Sequence, residues 1–171
     1  MGLDRVEPGE EGLAHNIVSV VGRSVSWLLL VLVALSFAIV VMRYGFDLGW
    51  VWLQESVTWM HAGIFMLAAA WAFQTDDHVR VDIFYRTRSQ KHRDRVNLAG
   101  CLLFLVPFCV FLAWSSWDYV SASWATGEAS RETGGLPAIY LLKSLILIMP
   151  VLMLLQCYST MKGCWKRLRA Q

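Results

Sequence analysis

SVSWLLLVLVALSFAIVVM, residues 24–42, carries no charged side chain and only three hydroxyls. A helix rises about 1.5 Å per residue and needs roughly 20 residues to cross a hydrocarbon layer about 30 Å thick. This stretch is that long, and residues 56–75, 96–117 and 144–161 are equally free of Asp, Glu, Lys and Arg. With 57% of the chain apolar and 16% charged, a water-facing surface cannot be assembled around it. In lipid the backbone groups must be satisfied within the chain, so the spans are helices; the strictly alternating ten-residue strands of a barrel are absent. The expectation is an all-α integral membrane protein, residues 1–171 forming a single four-helix membrane domain.

Basic residues set the expected orientation. With four crossings, twelve lie on one side: Arg5, Arg23, Arg80, Arg86, Arg88, Lys91, Arg93, Arg95, Lys162, Lys166, Arg167 and Arg169. The other side holds Arg43, Arg131 and Lys143. The positive-inside rule then puts both termini and the middle loop in the cytoplasm. Residues 1–16 are acidic, and the first apolar run is longer than a signal core and lacks a small-residue cleavage site, so it reads as an uncleaved anchor. Cys101, Cys109, Cys157 and Cys164 show no spacing of a redox pair or metal knuckle. Eight residues of helix rise about 12 Å, too far for a disulfide, so the cysteines read as small packing residues.

The four spans differ in character. The first is rich in Val, Leu and Ile and faces lipid over much of its girth. In the second, Gln54, Thr58 and His61 fall at i, i+4 and i+7 on one helical face, beside the small residues Ala62, Gly63, Ala68, Ala69, Ala70 and Ala72. Small residues let helix backbones approach, and polar side chains bond across the contact. That face, with Glu55, is the candidate partner interface. Trp50, Trp52, Trp114 and Trp117 suit the headgroup zone. Pro107 predicts a kink in the third span, and Pro150 interrupts the fourth. Between the second and third spans, His78 to Ile83 alternates polar and apolar residues, and Phe84 to Arg95 is basic with scattered apolar positions. An amphipathic interfacial segment on the inner leaflet fits both, with anionic lipid adding about 1 kcal/mol per cation near the surface.

Few residues offer chemistry. Glu55 and His61 are the ionisable groups in or beside a span, and such groups are functional suspects. Glu55, however, starts a helix, where a carboxylate is stabilised by free N–H groups. A bis-histidine haem needs two facing imidazoles; His15, His78 and His92 lie outside the spans, so no cofactor is expected. A thiol oxidase would need exposed cysteine pairs. The basic loop is explained by topology, and no nucleic-acid partner is implied.

Taken in order, Arg43-Tyr44 closing the first span, Trp52-Leu53-Gln54-Glu55 opening the second, His78-Val79-Arg80-Val81-Asp82 after it, and Pro137 to Gln156 leading through Pro150 resemble the small permease subunit of tripartite ATP-independent periplasmic (TRAP) transporters, the DctQ-like family. The inner element His78, Arg80, Asp82 is the most specific part. The resemblance implies a non-enzymatic scaffold in a bacterial inner membrane, paired with a large permease subunit. That subunit would carry out sodium symport of an organic acid delivered by a periplasmic solute-binding protein. The spans agree in lacking the broken helices and midplane ion ligands of a complete transporter. Two other classes compete with it: a self-sufficient homodimeric exporter using Glu55 as its proton-coupled carboxylate, and a membrane cytochrome subunit.

Overall fold

The computed structural model describes residues 13–75 and 89–170, all of whose regular structure is helical. Helix α1 runs Leu13–Gly45 and α2 Val51–Gln74; α3, Gln90–Gly100, continues through a π-helical turn, Cys101–Leu105, into α4, Val106–Thr126; α5 runs Ile139–Ala170. Among the described residues, four helical rods are long and apolar enough to cross a membrane, with α3, the π turn and α4 forming one of them. Each is longer than its charge-free stretch, because a helix needs an apolar surface only where lipid surrounds it and continues past the hydrocarbon wherever water can solvate its side chains.

The rods alternate in direction. One end of the bundle carries the loops α1–α2 and α4–α5 and is called the loop end; the other carries the start of α1, the start of α3 and the end of α5 and is called the terminal end. α2 packs against α1 and α5, and α5 also packs against α3 and α4. Val18, Ala70 and Leu152 form the shared core of α1, α2 and α5, with Val21, Leu67 and Trp71 around it. Closeness there depends on glycine: a Cβ on Gly22 would overlap the side chain of Trp71. Small residues at such crossings let van der Waals contact replace the hydrophobic drive that lipid removes.

Beyond Val25, α1 has no buried residue, and Trp27 (72% exposed) and Phe37 (70%) mark its free side. In the third rod, Phe104 of the π turn and Phe111 and Trp114 of α4 are similarly bare. Pro107 sits in the first turn of α4, directly after the π turn, in which the Val106 N–H reaches the Cys101 carbonyl. A proline lacks an N–H and its ring crowds the preceding turn; a wider π turn accommodates both within a continuous rod. Pro150 is fully buried in α5. All four cysteines are buried and unoxidised.

Candidate functional site

In α2 the exposed residues Gln54, Thr58, His61 and Phe65 follow one another at steps of four, three and four. These are the intervals that keep side chains on a single helix face. The face turns away from α1 and α5, while Ala70 on the opposite side is in the core. Thr58 Oγ1–H donates to the Gln54 carbonyl one turn back. His61 has no such partner among the described residues. It lies ten residues from Val51, about 15 Å along the axis, near the middle of the helix, where hydrocarbon would surround it. Burying a polar group there without a hydrogen bond costs about 1–3 kcal/mol.

Glu55 follows Gln54 by one residue and 100° of rotation, and the structure places it elsewhere. Its carboxylate accepts from Ser130 Oγ–H and from the Leu136 N–H at 2.6 Å. Four residues of the predicted set therefore divide, three on the exposed stripe and one in a latch on the α4–α5 loop. That loop also closes on itself. The Ser130 N–H donates to the Leu136 carbonyl at 3.0 Å, and the Ile139 N–H to the Glu128 carbonyl at 2.8 Å. Gly134 has φ 78°, in the left-handed region open to glycine. At Gly135 a Cβ would strike both the Ser130 side chain and the Glu55 carboxylate.

A second set of bonds joins α4 to α5 at the same end. Glu128 accepts from Ser123 Oγ–H at 2.6 Å and pairs with Lys143. The Lys143 ammonium also lies 3.9 Å from the centre of the Tyr119 ring. Those bonds, the Lys143 contact first and the Ser123 hydroxyl second, hold the Glu128 carboxyl below its ordinary range. Trp124 Nε1–H donates to Ser144 Oγ, and its ring packs on Tyr140 with 4.6 Å between centroids.

The terminal end is fixed differently. Asp94, in α3, is wholly buried and meets Arg167 of α5, whose Nη2 and Nε lie 2.8 and 3.2 Å from its two oxygens. Gln90 Nε2 approaches the same carboxylate at 3.4 Å. Gln74 Nε2–H donates to the His15 carbonyl at 3.0 Å, tying the end of α2 to the start of α1. Neither Asp94 nor Arg167 stood out as a candidate in the sequence. The available signal was modest: Asp94 is the lone acid between Ile83 and Gly100, set among arginines at the edge of a span.

His78, Arg80 and Asp82, the predicted inner motif, lie outside the described residues, as does the basic segment up to Arg88. From Gln90 onward that segment is helical and runs without a break into the third rod. Among the described residues no group of three His, Cys, Asp or Glu side chains could hold a metal ion.

Residues 32–167 of the 171 match the family model for the DctQ component of tripartite ATP-independent periplasmic transporters. No curated protein and no solved structure matches the chain.

Proposed function

Because this chain belongs to the DctQ component family of tripartite ATP-independent periplasmic transporters, we propose that it is the stationary scaffold of such a system, docking on the large permease subunit through Gln54, Thr58 and His61. As a member of that family it is a small permease subunit, a transporter component and a multi-pass protein of the inner membrane. The observation that carries the docking surface is the bare imidazole of His61 at mid-helix, without a partner among the described residues. A neighbouring helix can supply its hydrogen bond where lipid cannot.

The rest of the reading follows from that placement. Twelve basic residues against three support cytoplasmic termini and a periplasmic loop end. The whole chain works as one four-helix membrane unit. It is not an enzyme and needs no cofactor. The large permease performs sodium-coupled import of an organic acid, and a periplasmic solute-binding protein delivers that acid through transient contact. The interfacial segment containing His78, Arg80 and Asp82 rests on the inner leaflet or on the partner. Glu55, bonded to Ser130 and Leu136, supports a latch in place of a proton-coupled carboxylate.

Gentle purification from native membranes tests the scaffold reading. The chain is expected to bring a larger multi-span permease with it; recovery of the small chain alone would overturn the reading. Exchange of His61 for tryptophan, which enlarges the stripe, is expected to lower the yield of the partner several-fold. An unchanged yield would remove this face from the interface.

A further inference from the structure

Between the end of α1 and the start of α2 lies a recess of about 300 Å³ lined by Arg43, Asp47, Leu48, Gly49, Val51 and Gln54. We propose that it binds the head group of a zwitterionic aminophospholipid, the phosphate on Arg43 and the ammonium on Asp47.

The charges argue for a zwitterion. Arg43 and Asp47 face one recess, yet they form no ion pair with each other or with any other described residue. Arg43 is in the last turn of α1, where the helix dipole favours a cation. Asp47 is held in the left-handed region, φ 57°. There the Met42 carbonyl accepts from both the Phe46 and Leu48 N–H groups and closes the helix end around it. A simple anion would meet repulsion from Asp47, and a metal cation from Arg43. A molecule carrying both signs satisfies the two together. Arginine pairs with phosphate through parallel N–H bonds, and the Gln54 amide can donate to the phosphate or accept from the ammonium.

The surroundings argue for a lipid. The recess opens among exposed apolar residues, Phe46 and Leu48 beside it and Val41 on the last turn of α1. Trp50 and Trp52 flank it at the helix ends, the level that amphipathic rings occupy in a bilayer. Acyl chains would run down the unpacked side of α1, along Phe37 and Val40. About 300 Å³ is at the small end of ligand pockets, suited to a head group with its tails left outside. Gln54 also belongs to the proposed docking face, but Arg43 and Asp47 do not, so the charged pair of the recess can be tested on this chain alone.

The test uses the full-length chain in mild detergent, offered equal amounts of phosphatidylethanolamine and phosphatidylglycerol with the same acyl chains, and reads retained lipid by native mass spectrometry. Several-fold preference for phosphatidylethanolamine is expected from the unsubstituted protein, and equal retention overturns the proposal without reference to any variant. Arg43→Gln is expected to lose most of the retained phosphatidylethanolamine, while Asp47→Asn erases the preference by admitting phosphatidylglycerol. A preference unchanged in both variants would place the lipid elsewhere. An excess of soluble phosphoethanolamine is expected to leave the lipid in place; displacement by it would identify a water-soluble zwitterion as the ligand instead.

Discussion

Glu55 and Glu128 at the loop end, and Asp94 at the terminal end, each fasten one part of the bundle to another, but in opposite ways. The loop-end carboxylates are partly open to solvent, and each draws on several donors: a serine hydroxyl and a backbone N–H for one, a serine hydroxyl and Lys143 for the other. Asp94 has no contact with solvent and depends chiefly on the guanidinium of Arg167. Where water remains within reach, losing one donor leaves the carboxylate solvated. Where it does not, losing the main partner strands a charge in a low-dielectric interior. The terminal end should therefore be brittle and the loop end tolerant.

The sharpest way to break this comparison is to remove partners at the terminal end one at a time. Arg167→Met leaves Asp94 buried and uncompensated, and should cost about 3 kcal/mol, the lower end for truncating one side of a buried pair. Asp94→Asn leaves Arg167, 44% exposed, free to turn to water, and should cost nearer 1 kcal/mol. Thermal loss of monodisperse protein in detergent reads both. Equal losses would mean that Asp94 is reached by water and that the two ends do not differ in kind.

Next in size is the α1–α2 crossing, which belongs to the terminal half but contains no charge. Gly22→Ala drives a methyl into the Trp71 ring and should cost about 1–3 kcal/mol, as overpacking usually does. If the ring is the obstacle, combining it with Trp71→Ala should be milder than the sum of the two single changes, since residues in contact couple. Strict additivity would show that Gly22 matters for some other reason. At the loop end, Glu55→Gln keeps an acceptor for the Leu136 N–H, so the bundle should melt unchanged. Only amide exchange between Gly127 and Ala138 should quicken. A large drop in melting temperature would contradict the tolerance assigned to that end.

The contrast between the two ends was only partly legible in the sequence. The four charge-free runs fall on the four rods that are long and apolar enough to cross a membrane; they could not mark where those helices begin and end, such as the start of α1 at Leu13 or the end of α5 at Ala170. The stripe Gln54, Thr58, His61 was visible because its period is local. Glu55 was grouped with it by adjacency, although neighbours in a helix point 100° apart and do not share a face. Ser130 and Leu136 lie 75 and 81 residues away from it, and Arg167 lies 73 from Asp94. Pairings over such distances are set by helix packing, and one chain's composition carries no trace of them.

The smallest effect expected is the share of Glu128 in the pH response of the loop end. Its folded-state carboxyl is held below the ordinary value of 4.5, first by Lys143 and then by the Ser123 hydroxyl, with Arg131 adding a weaker attraction and partial desolvation opposing them. A carboxyl lowered on folding stabilises the folded state at any pH above its ordinary value, and that contribution is lost as pH falls through the lowered one. Lys143 and Arg131 remain cationic throughout this range. The difference in melting temperature between the unsubstituted chain and Glu128→Gln should thus stay constant from about pH 5 to neutrality and shrink as the solution is made more acidic than 4.5. The pairing is partly exposed, so added salt should reduce the difference as well. Asp94, sealed from solvent, should show far less sensitivity to salt. A salt effect on the Asp94→Asn difference as large as that on Glu128→Gln would place both pairs in the same dielectric surroundings and remove the distinction between the two ends of the bundle.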